Sequence, residues 1–258
     1  MRAEAAVVAV SRRQATGLLS LAVVTVLAGA GARGWLDLRR GHSDWAEREI
    51  GRSVEGRPVV AYEAGEGPVL IVIGALHGDE PQSSYCTRGL LHVGRQMRDA
   101  AAGHRVVIIP AANPDGLSAG TRGNARRVDI NRNFPTGNWT GDAAGDRFSP
   151  GPSPGSEPET QALVALLEVT RPTAIIALHA PMRLVNYDGP AREMAEAMAA
   201  RNGYPVHDDI GYSTPGSLGT YAGVERGIPV VTLELPDAGD AQCWRENRDA
   251  LLAGLMRP

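Results

Sequence analysis

Four stretches of the chain run apolar between breakers. Val69–Ile73 lies between Pro68 and Gly74, Arg105–Pro110 follows, Thr173–Leu178 stops at His179, and Gly227–Pro236 carries Glu234 as its single charged residue. Apolar runs of this length read as strands covered on both faces, which is how parallel strands sit in α/β proteins. Between them the period changes. Gln82–Ala101 carries apolar residues at helical spacing, and Ser156-Glu-Pro-Glu159 reads as a capping box that opens a helix through about Val169. Pro190–Asn202 is an alanine-rich amphipathic helix expected on the surface, and Asp240–Met256 closes the chain as a helix. Strand, helix and strand in succession require crossovers, so the pattern predicts an α/β fold with a parallel core. Ahead of it, Ser53–Glu63 reads as a hairpin entering the sheet and covering an edge.

Two segments fit neither period. Thr136–Gly155 is rich in Gly, Pro, Asp and Ser, carries Trp139 and Phe148, and is too long for an ordinary connection, so it is expected to be a lid or a binding loop. Gly211–Gly219 is a glycine-rich loop with one aromatic residue, Tyr212.

Length and charge narrow the classes. The 258 residues suffice for one large domain, without internal repeats. A net charge of -3 leaves no basic footprint for nucleic acid. All 26 basic residues are arginine, which reflects coding bias. Two cysteines, Cys86 and Cys243, make no disulfide framework and either pair once or stay free. At the N-terminus, Arg12 and Arg13 precede the apolar Gly17–Ala28, followed by the small-residue sites Ala28-Gly-Ala30 and Ala30-Gly-Ala32. That is the layout of a signal peptide over residues 1–32, and it predicts an exported protein, periplasmic or extracellular, with residues 33–258 as the catalytic domain. Ser11-Arg12-Arg13 hints at the twin-arginine route. An uncleaved membrane anchor is the alternative, although the run is short for a span; the mature domain itself is expected to hold no membrane segment.

Chemistry-bearing residues cluster where strands end. His77-x-x-Glu80 follows the first apolar run, His179 ends the third, and Glu234 interrupts the fourth. Singly, these are a solvated loop, a core histidine and a costly buried carboxylate. Together, two close ligands and a third about a hundred residues on have the spacing of a catalytic zinc site, which keeps one position open. A second dense stretch, Thr121–Pro135, holds four arginines and three asparagines against one carboxylate and suits an anion, since the arginine fork matches a carboxylate in bidentate fashion. His42, His92, His104 and His207 end no apolar strand and read as surface or structural residues.

His77-x-x-Glu80, Asn131-Arg132, His179 and Glu234, in this order, resemble the zinc carboxypeptidase family. Within it, Asn113-Pro-Asp-Gly116, Val128–Pro135, Gly155–Leu163 and Gly211–Ser217 are most similar to members that act as amidases on murein peptides, and the similarity covers about Gly51 to Pro236. The resemblance implies a three-layer α/β/α fold with a mixed, mostly parallel central sheet. It implies one zinc ion per chain, held by His77, Glu80 and His179, with Glu234 as the general base that takes a proton from a zinc-activated water. Arg122 best matches the arginine that stabilises the oxyanion, with Arg126 and Arg127 close enough to leave that choice open. Asn131 and Arg132 would clamp the substrate's terminal carboxylate, Asp129 would orient a zinc-binding histidine, and Tyr212 would close over the substrate. The implied reaction is hydrolysis of the γ-D-glutamyl–meso-diaminopimelate bond of a murein peptide. Residue chemistry alone reaches only zinc-assisted amide hydrolysis beside an anion clamp.

One feature departs from the resemblance: the amidases of this kind act in the cytoplasm, whereas this chain carries the layout of an export signal. The other readings are a metallocarboxypeptidase with different C-terminal specificity and an N-acyl amino acid deacylase similar to succinylglutamate desuccinylase or aspartoacylase. A non-catalytic binder of cell-wall peptides is a further alternative, and the presence of Glu234 argues against it, because binding needs no base.

Overall fold

Strand β3, Val69–Ile73, is buried at every position, and that burial dictates the layering around it. Its odd residues Val69, Ile71 and Ile73 pack with Leu163, Leu166, Phe134 and Tyr221 on one face, while Leu70 and Val72 pack with Cys86, Leu90, Met198 and Leu251 on the other. A strand that is apolar on both sides needs a helical layer on each, hence α/β/α. The computed structural model describes residues 45–142 and 145–256; the signal-peptide reading and His42 lie outside the described residues.

The sheet has eight strands in the order β1-β2-β4-β3-β5-β8-β6-β7. These are β1 (Ala46–Arg52), β2 (Pro58–Ala64), β3, β4 (Arg105–Ile109), β5 (Ala174–His179), β6 (Met182–Asp188), β7 (Val206–His207) and β8 (Val230–Pro236). The central β4-β3-β5-β8 block is parallel, β1 and β2 join it antiparallel at one edge, and β6 pairs antiparallel with β8 at the other. Helices α1 (Pro81–His92), α2 (Gly94–Ala100), α5 (Arg192–Asn202) and α6 (Asp240–Leu255) cover one face, and α4 (Pro158–Thr170) covers the other. A short α3 (Pro114–Ala119) follows β4. From β3 the chain goes first to β4 on one side and later to β5 on the other, so the carboxyl end of β3 is a switch point, the place where open α/β sheets form crevices.

The expected strands and helices are present, with three corrections. The hairpin is not Ser53–Glu63: its first strand is Ala46–Arg52, and residues 53–57 are the turn, closed by Ser53 N–H donating to Arg57 O at 2.9 Å. β1 is an exposed edge strand and needs no apolar alternation; it is held by its ladder and by Arg48 Nε donating to Glu63 Oε1 at 2.7 Å. The helix over Gln82–Ala101 is two helices, broken where Gly94 adopts φ 43°. No capping box forms at Ser156: the N-cap is Glu157, and Ser156 Oγ instead donates to Glu157 Oε1 and accepts from Asn133 Nδ2. The amphipathic surface helix is present, with Met194, Ala195 and Met198 on its buried face against α6 and Arg192, Glu193, Glu196 and Arg201 exposed. Strand β6 was not anticipated, and it proves to line the site. Among the described residues no helix is long and apolar enough to cross a membrane, and both cysteine thiols are buried and unpaired.

Candidate active site

The sequence Gly74-Ala-Leu-His77 turns sharply out of β3, with Ala75 at φ 46°, and is stitched to the neighbouring strand end. Gly74 N–H donates to Ile109 O at 2.8 Å, Ala112 N–H to Gly74 O at 3.0 Å and Asn113 N–H to Ala75 O at 2.8 Å. Ser83, in the first turn of α1, donates its hydroxyl to Glu80 O and accepts from Ala75 N–H, which fixes the loop that carries both His77 and Glu80. His179 arrives from the last position of β5. Its register partner on β8 is Glu234, so two adjacent parallel strands deliver a histidine and a glutamate at the same height. Ala180-Pro181, directly after, is a cis peptide bond.

His77 Nδ1 lies 2.7 Å from Glu80 Oε1 and 3.0 Å from His179 Nδ1, and His179 Nδ1 lies 3.0 Å from Glu80 Oε2. The three ligand atoms lie within 4.8 Å of one another, and all three residues are buried. Two imidazole nitrogens 3.0 Å apart beside a buried carboxylate turn three donor atoms toward one point, which a cation could bridge. His77 Nε2 meets Asp129 Oδ1 at 3.1 Å, which holds the proton on Nε2 and leaves the Nδ1 lone pair for a metal. Nitrogen, nitrogen and oxygen donors with this backing fit zinc.

Electrostatics agree with that fit. Burial alone would lower the pKa of His77, but the Asp129 and Glu80 carboxylates outweigh it and raise it to about 9. Burial works equally against ionised Glu80, yet the two histidines hold its carboxyl well below the usual range. Burial pushes the Glu234 carboxyl up, against the pull of His179 and with the help of the Glu80 charge. A buried carboxylate displaced upward is suited to take and return a proton near neutral pH.

Opposite the histidines lies the arginine loop. Asp129, fully buried, accepts from Arg122 Nε at 2.9 Å and from Asn131 N–H at 2.9 Å in addition to His77. Arg122 Nη1 stands 3.6 Å from Glu80 Oε1, and its guanidinium lies over the Phe148 ring. Asn131 Oδ1 accepts from Leu218 N–H at 2.8 Å, and Asn131 Nδ2 is 3.5 Å from His179 Nε2. Arg132 is buried and shares Phe148 with Arg122. Arg126 turns away to Glu157, and Arg127 is exposed at φ 62°, so of the three candidate arginines Arg122 is the one in the cleft. Tyr212, half exposed, stands at the mouth. The loop that carries Tyr212 runs against the arginine loop, because Gly216 at φ 68° approaches the Arg132 carbonyl where a Cβ would come within 2.2 Å of its oxygen.

Every site residue anticipated from the sequence either lines this cleft of about 220 Å³ or, in the case of Asp129, lies directly behind it. Sequence reasoning missed Arg147, Asn186, Asp188 and Thr232, which also line it. Asn186 and Asp188 belong to the unanticipated β6. The only available signal for them was the alternating Leu184-Val-Asn-Tyr-Asp188 stretch. His92, His104 and His207 line no part of the cleft.

A buried His-Glu-His triad that could hold a metal, with Glu234 beside it and Arg122 and Arg132 in the same cleft, at the carboxyl edge of a mostly parallel sheet, is the donor set expected of a metal-dependent hydrolase of the α/β class. The zinc carboxypeptidase family matches residues 34–249, and the chain belongs to that family. It is 35% identical over 221 residues to murein peptide amidase A of Vibrio campbellii, covering 80% of this chain and 86% of the relative. The crystal structure of murein-tripeptide amidase MpaA from Escherichia coli O157 superposes with a TM-score of 0.69 at 29% identity, covering 85% of this chain and 96% of that one. Carboxypeptidase A from Helicoverpa armigera shares the fold, with a TM-score of 0.73 at 20% identity over 85% of this chain and 70% of that one. The chain is thus a zinc metallopeptidase or amidase.

Proposed function

We propose that the protein hydrolyses the amide bond between γ-D-glutamate and meso-diaminopimelate in murein peptides, with one zinc ion per chain held by His77, Glu80 and His179. The observation that carries this reading is the convergence of that triad beside Glu234 and across from the Arg122–Arg132 wall. Its substrate rests on the likeness to the Vibrio campbellii amidase over most of both chains. Zinc, when bound, supplies Lewis acidity that acidifies water and polarises the scissile carbonyl.

The chain's own residues do the rest. Asp129 keeps His77 oriented through Nε2. Glu234 takes the proton of the attacking water and returns it to the leaving amine, so amide and water become a carboxylate and an amine. Arg122 donates to the carbonyl oxygen as charge builds there, an interaction commonly worth about 3–4 kcal/mol of barrier. Asn131 and Arg132 hold the terminal carboxylate and thereby position the amide, and Tyr212 closes over the substrate and excludes water. Residues 1–32 serve as an export signal, so the reaction runs on murein fragments outside the cytoplasm; the Arg12-Arg13 and Gly17–Ala28 layout supports this. Sequencing the N-terminus of the protein recovered from its host tests it, and an intact N-terminus in the cytoplasmic fraction overturns it.

The activity test uses the zinc-loaded full chain with L-Ala-γ-D-Glu-meso-diaminopimelate, followed by mass spectrometry, with Glu234→Gln alongside. Free diaminopimelate from the wild type is the expected result, with a rate loss of about 10²–10⁴-fold in the variant at unchanged zinc content. No release from a zinc-replete wild type sinks this substrate and turns the search to other C-terminal peptides and N-acyl amino acids.

A further inference from the structure

The loop that carries the arginine wall has little regular structure of its own. Between Thr121 and Pro135 it holds a single turn of 3-10 helix, Ile130–Arg132. Several of its bonds run to other irregular segments: Asp129 N–H donates to Ser149 O, Phe134 N–H donates to Gly216 O, and Asn131 Oδ1 accepts from Leu218 N–H. Its polar ties to a long helix run to the first residues of α4. That helix is rigidly seated, because Leu163 and Leu166 pack with Ile71 and Ile73 of β3.

Glu157, the N-cap of α4, is fully buried, and its two carboxylate oxygens serve the two ends of the loop. Oε2 accepts from Asn124 Nδ2 at 2.7 Å, two residues after Arg122. Asn124 Oδ1 in turn accepts from Arg126 N–H at 3.0 Å and Val128 N–H at 3.1 Å, which closes the turn there. Oε1 accepts from Ser156 Oγ at 2.8 Å, and Ser156 Oγ accepts from Asn133 Nδ2 at 3.0 Å, one residue after Arg132. Glu157 N–H also donates to Asn133 Oδ1 at 3.0 Å. Both asparagines are buried, and a buried polar network whose members are all satisfied is rigid. Room for the second junction depends on Gly151, at φ 81°, where a Cβ would lie 2.8 Å from both Asn133 Nδ2 and Ser156 Oγ. The buried charge is met by the start of the helix, whose dipole favours an anion, and by Arg126 Nη1 at 3.4 Å. Glu159 Oε2 shares Asn124 Nδ2 at 3.0 Å; burial pushes its carboxyl up, which eases its place beside the Glu157 charge.

We propose that Glu157 is a positioning residue for both functions of the wall. Through Asn124 it sets Arg122 at the scissile carbonyl oxygen, and through Ser156 and Asn133 it sets Asn131 and Arg132 at the terminal carboxylate. It lines no part of the cleft itself. By tying both ends to one helix start it fixes the distance between the two subsites, and that distance selects the last amide of a chain with a free carboxylate. This rests on the amide-hydrolase reading above and adds the element that holds its subsites in step.

The test compares the full chain with Glu157→Gln, Asn124→Ala and Ser156→Ala at saturating zinc. The substrates are L-Ala-γ-D-Glu-meso-diaminopimelate and the same peptide with its C-terminal α-carboxylate amidated. Asn124→Ala should lower kcat about 10- to 100-fold on both peptides while KM stays within a few-fold, because only the Arg122 end is released. Ser156→Ala should raise KM for the free acid by about 3- to 10-fold, with kcat kept and the amidated peptide unaffected. A glutamine at 157 keeps an accepting oxygen for one end only, so Glu157→Gln should lower kcat and also narrow the preference for the free acid over the amide. Glu157→Gln with kcat and KM both within about twofold of wild type overturns the proposal, as does a loss confined to melting temperature. If that variant does not fold, the two single-end variants decide, and equal effects on kcat and KM in both overturn it. If the wild type cleaves neither peptide, the substrate reading fails, and Glu157 is judged by hydrogen exchange. Faster exchange at both ends of residues 121–135 in Glu157→Gln, with β3 unchanged, upholds it; unchanged exchange, or loosening at one end alone, overturns it.

Discussion

Asp129→Asn separates the metal-holding role of the arginine loop from its catalytic role. The buried carboxylate receives three donors: His77 Nε2 at 3.1 Å and Asn131 N–H at 2.9 Å on Oδ1, and Arg122 Nε at 2.9 Å on Oδ2. An asparagine has one accepting oxygen. Placed at Oδ1 it retains His77 and Asn131, and its NH₂ then faces the Arg122 N–H, donor against donor. Arg122 loses its anchor in a setting where its side chain is only 11% exposed. Replacing the carboxylate that backs a metal-binding histidine weakens metal binding by about 10–100-fold, or about 1.4–2.7 kcal/mol. A charged group left without its hydrogen bond adds about 1.5–3 kcal/mol to the transition state through Arg122. Zinc affinity, measured by competition with a chromogenic chelator, should therefore fall by one to two orders of magnitude, and kcat at saturating zinc should fall by at least as much again. The reasoning fails if zinc affinity stays within about twofold of wild type, or if kcat recovers fully once zinc is replete.

In metal-free protein the raised His77 pKa of about 9, against an ordinary 6.5, stabilises the fold fully below pH 6.5 and is lost as pH rises through 9. The depressed Glu80 and Asp129 carboxyls act above their ordinary 4.5 and 3.8 and lose their contribution as pH falls through their lower folded values. Thermal melts without metal should thus peak between about pH 5 and 6.5 and decline toward 9, and a flat profile over that upper range refutes the assignment. Gly78→Ala should cost about 1–3 kcal/mol and loosen zinc binding, because its Cβ would lie 1.9 Å from the Gly116 carbonyl carbon. Gly239→Ala, with nothing within 4 Å, is the control, and equal melting shifts in the two would contradict this packing. Arg132→Lys keeps the charge but loses the fork, and KM for a free-carboxylate substrate should rise about 10- to 100-fold while an amidated substrate is unaffected. Parallel losses on both substrates would remove Arg132 from the clamp.

Much of this site was legible before any coordinates. His77 and Glu80 stand out because they follow an apolar run directly, His179 because it ends one and Glu234 because it interrupts one, and parallel strands buried on both faces leave that signature unmistakable. The same logic located β3, β4 and β5 to within one residue at each end and placed the start of β8 three residues early. It failed where tertiary context replaces pattern. β1 carries Ile50 as its one large apolar residue because an edge strand is held by backbone bonds and cross-strand ion pairs, and Ser156 fits a capping pattern but is taken up by Asn133 and Glu157.

By itself, the sequence determined the two-sided strands, the order of the ligands and the residue types of a zinc site with an anion wall, because these follow from local period and side-chain chemistry. Only the tertiary structure decided the rest. It chose Arg122 over Arg126 and Arg127, since a turn at Asn124 points the latter two outward. It set His179 level with Glu234 through strand register. It also brought Asp188 of β6 and the bare backbone of Gly219, thirty-one residues later, to one end of the cleft. Register and packing join residues that are distant along the chain, and no local pattern records which of them will meet.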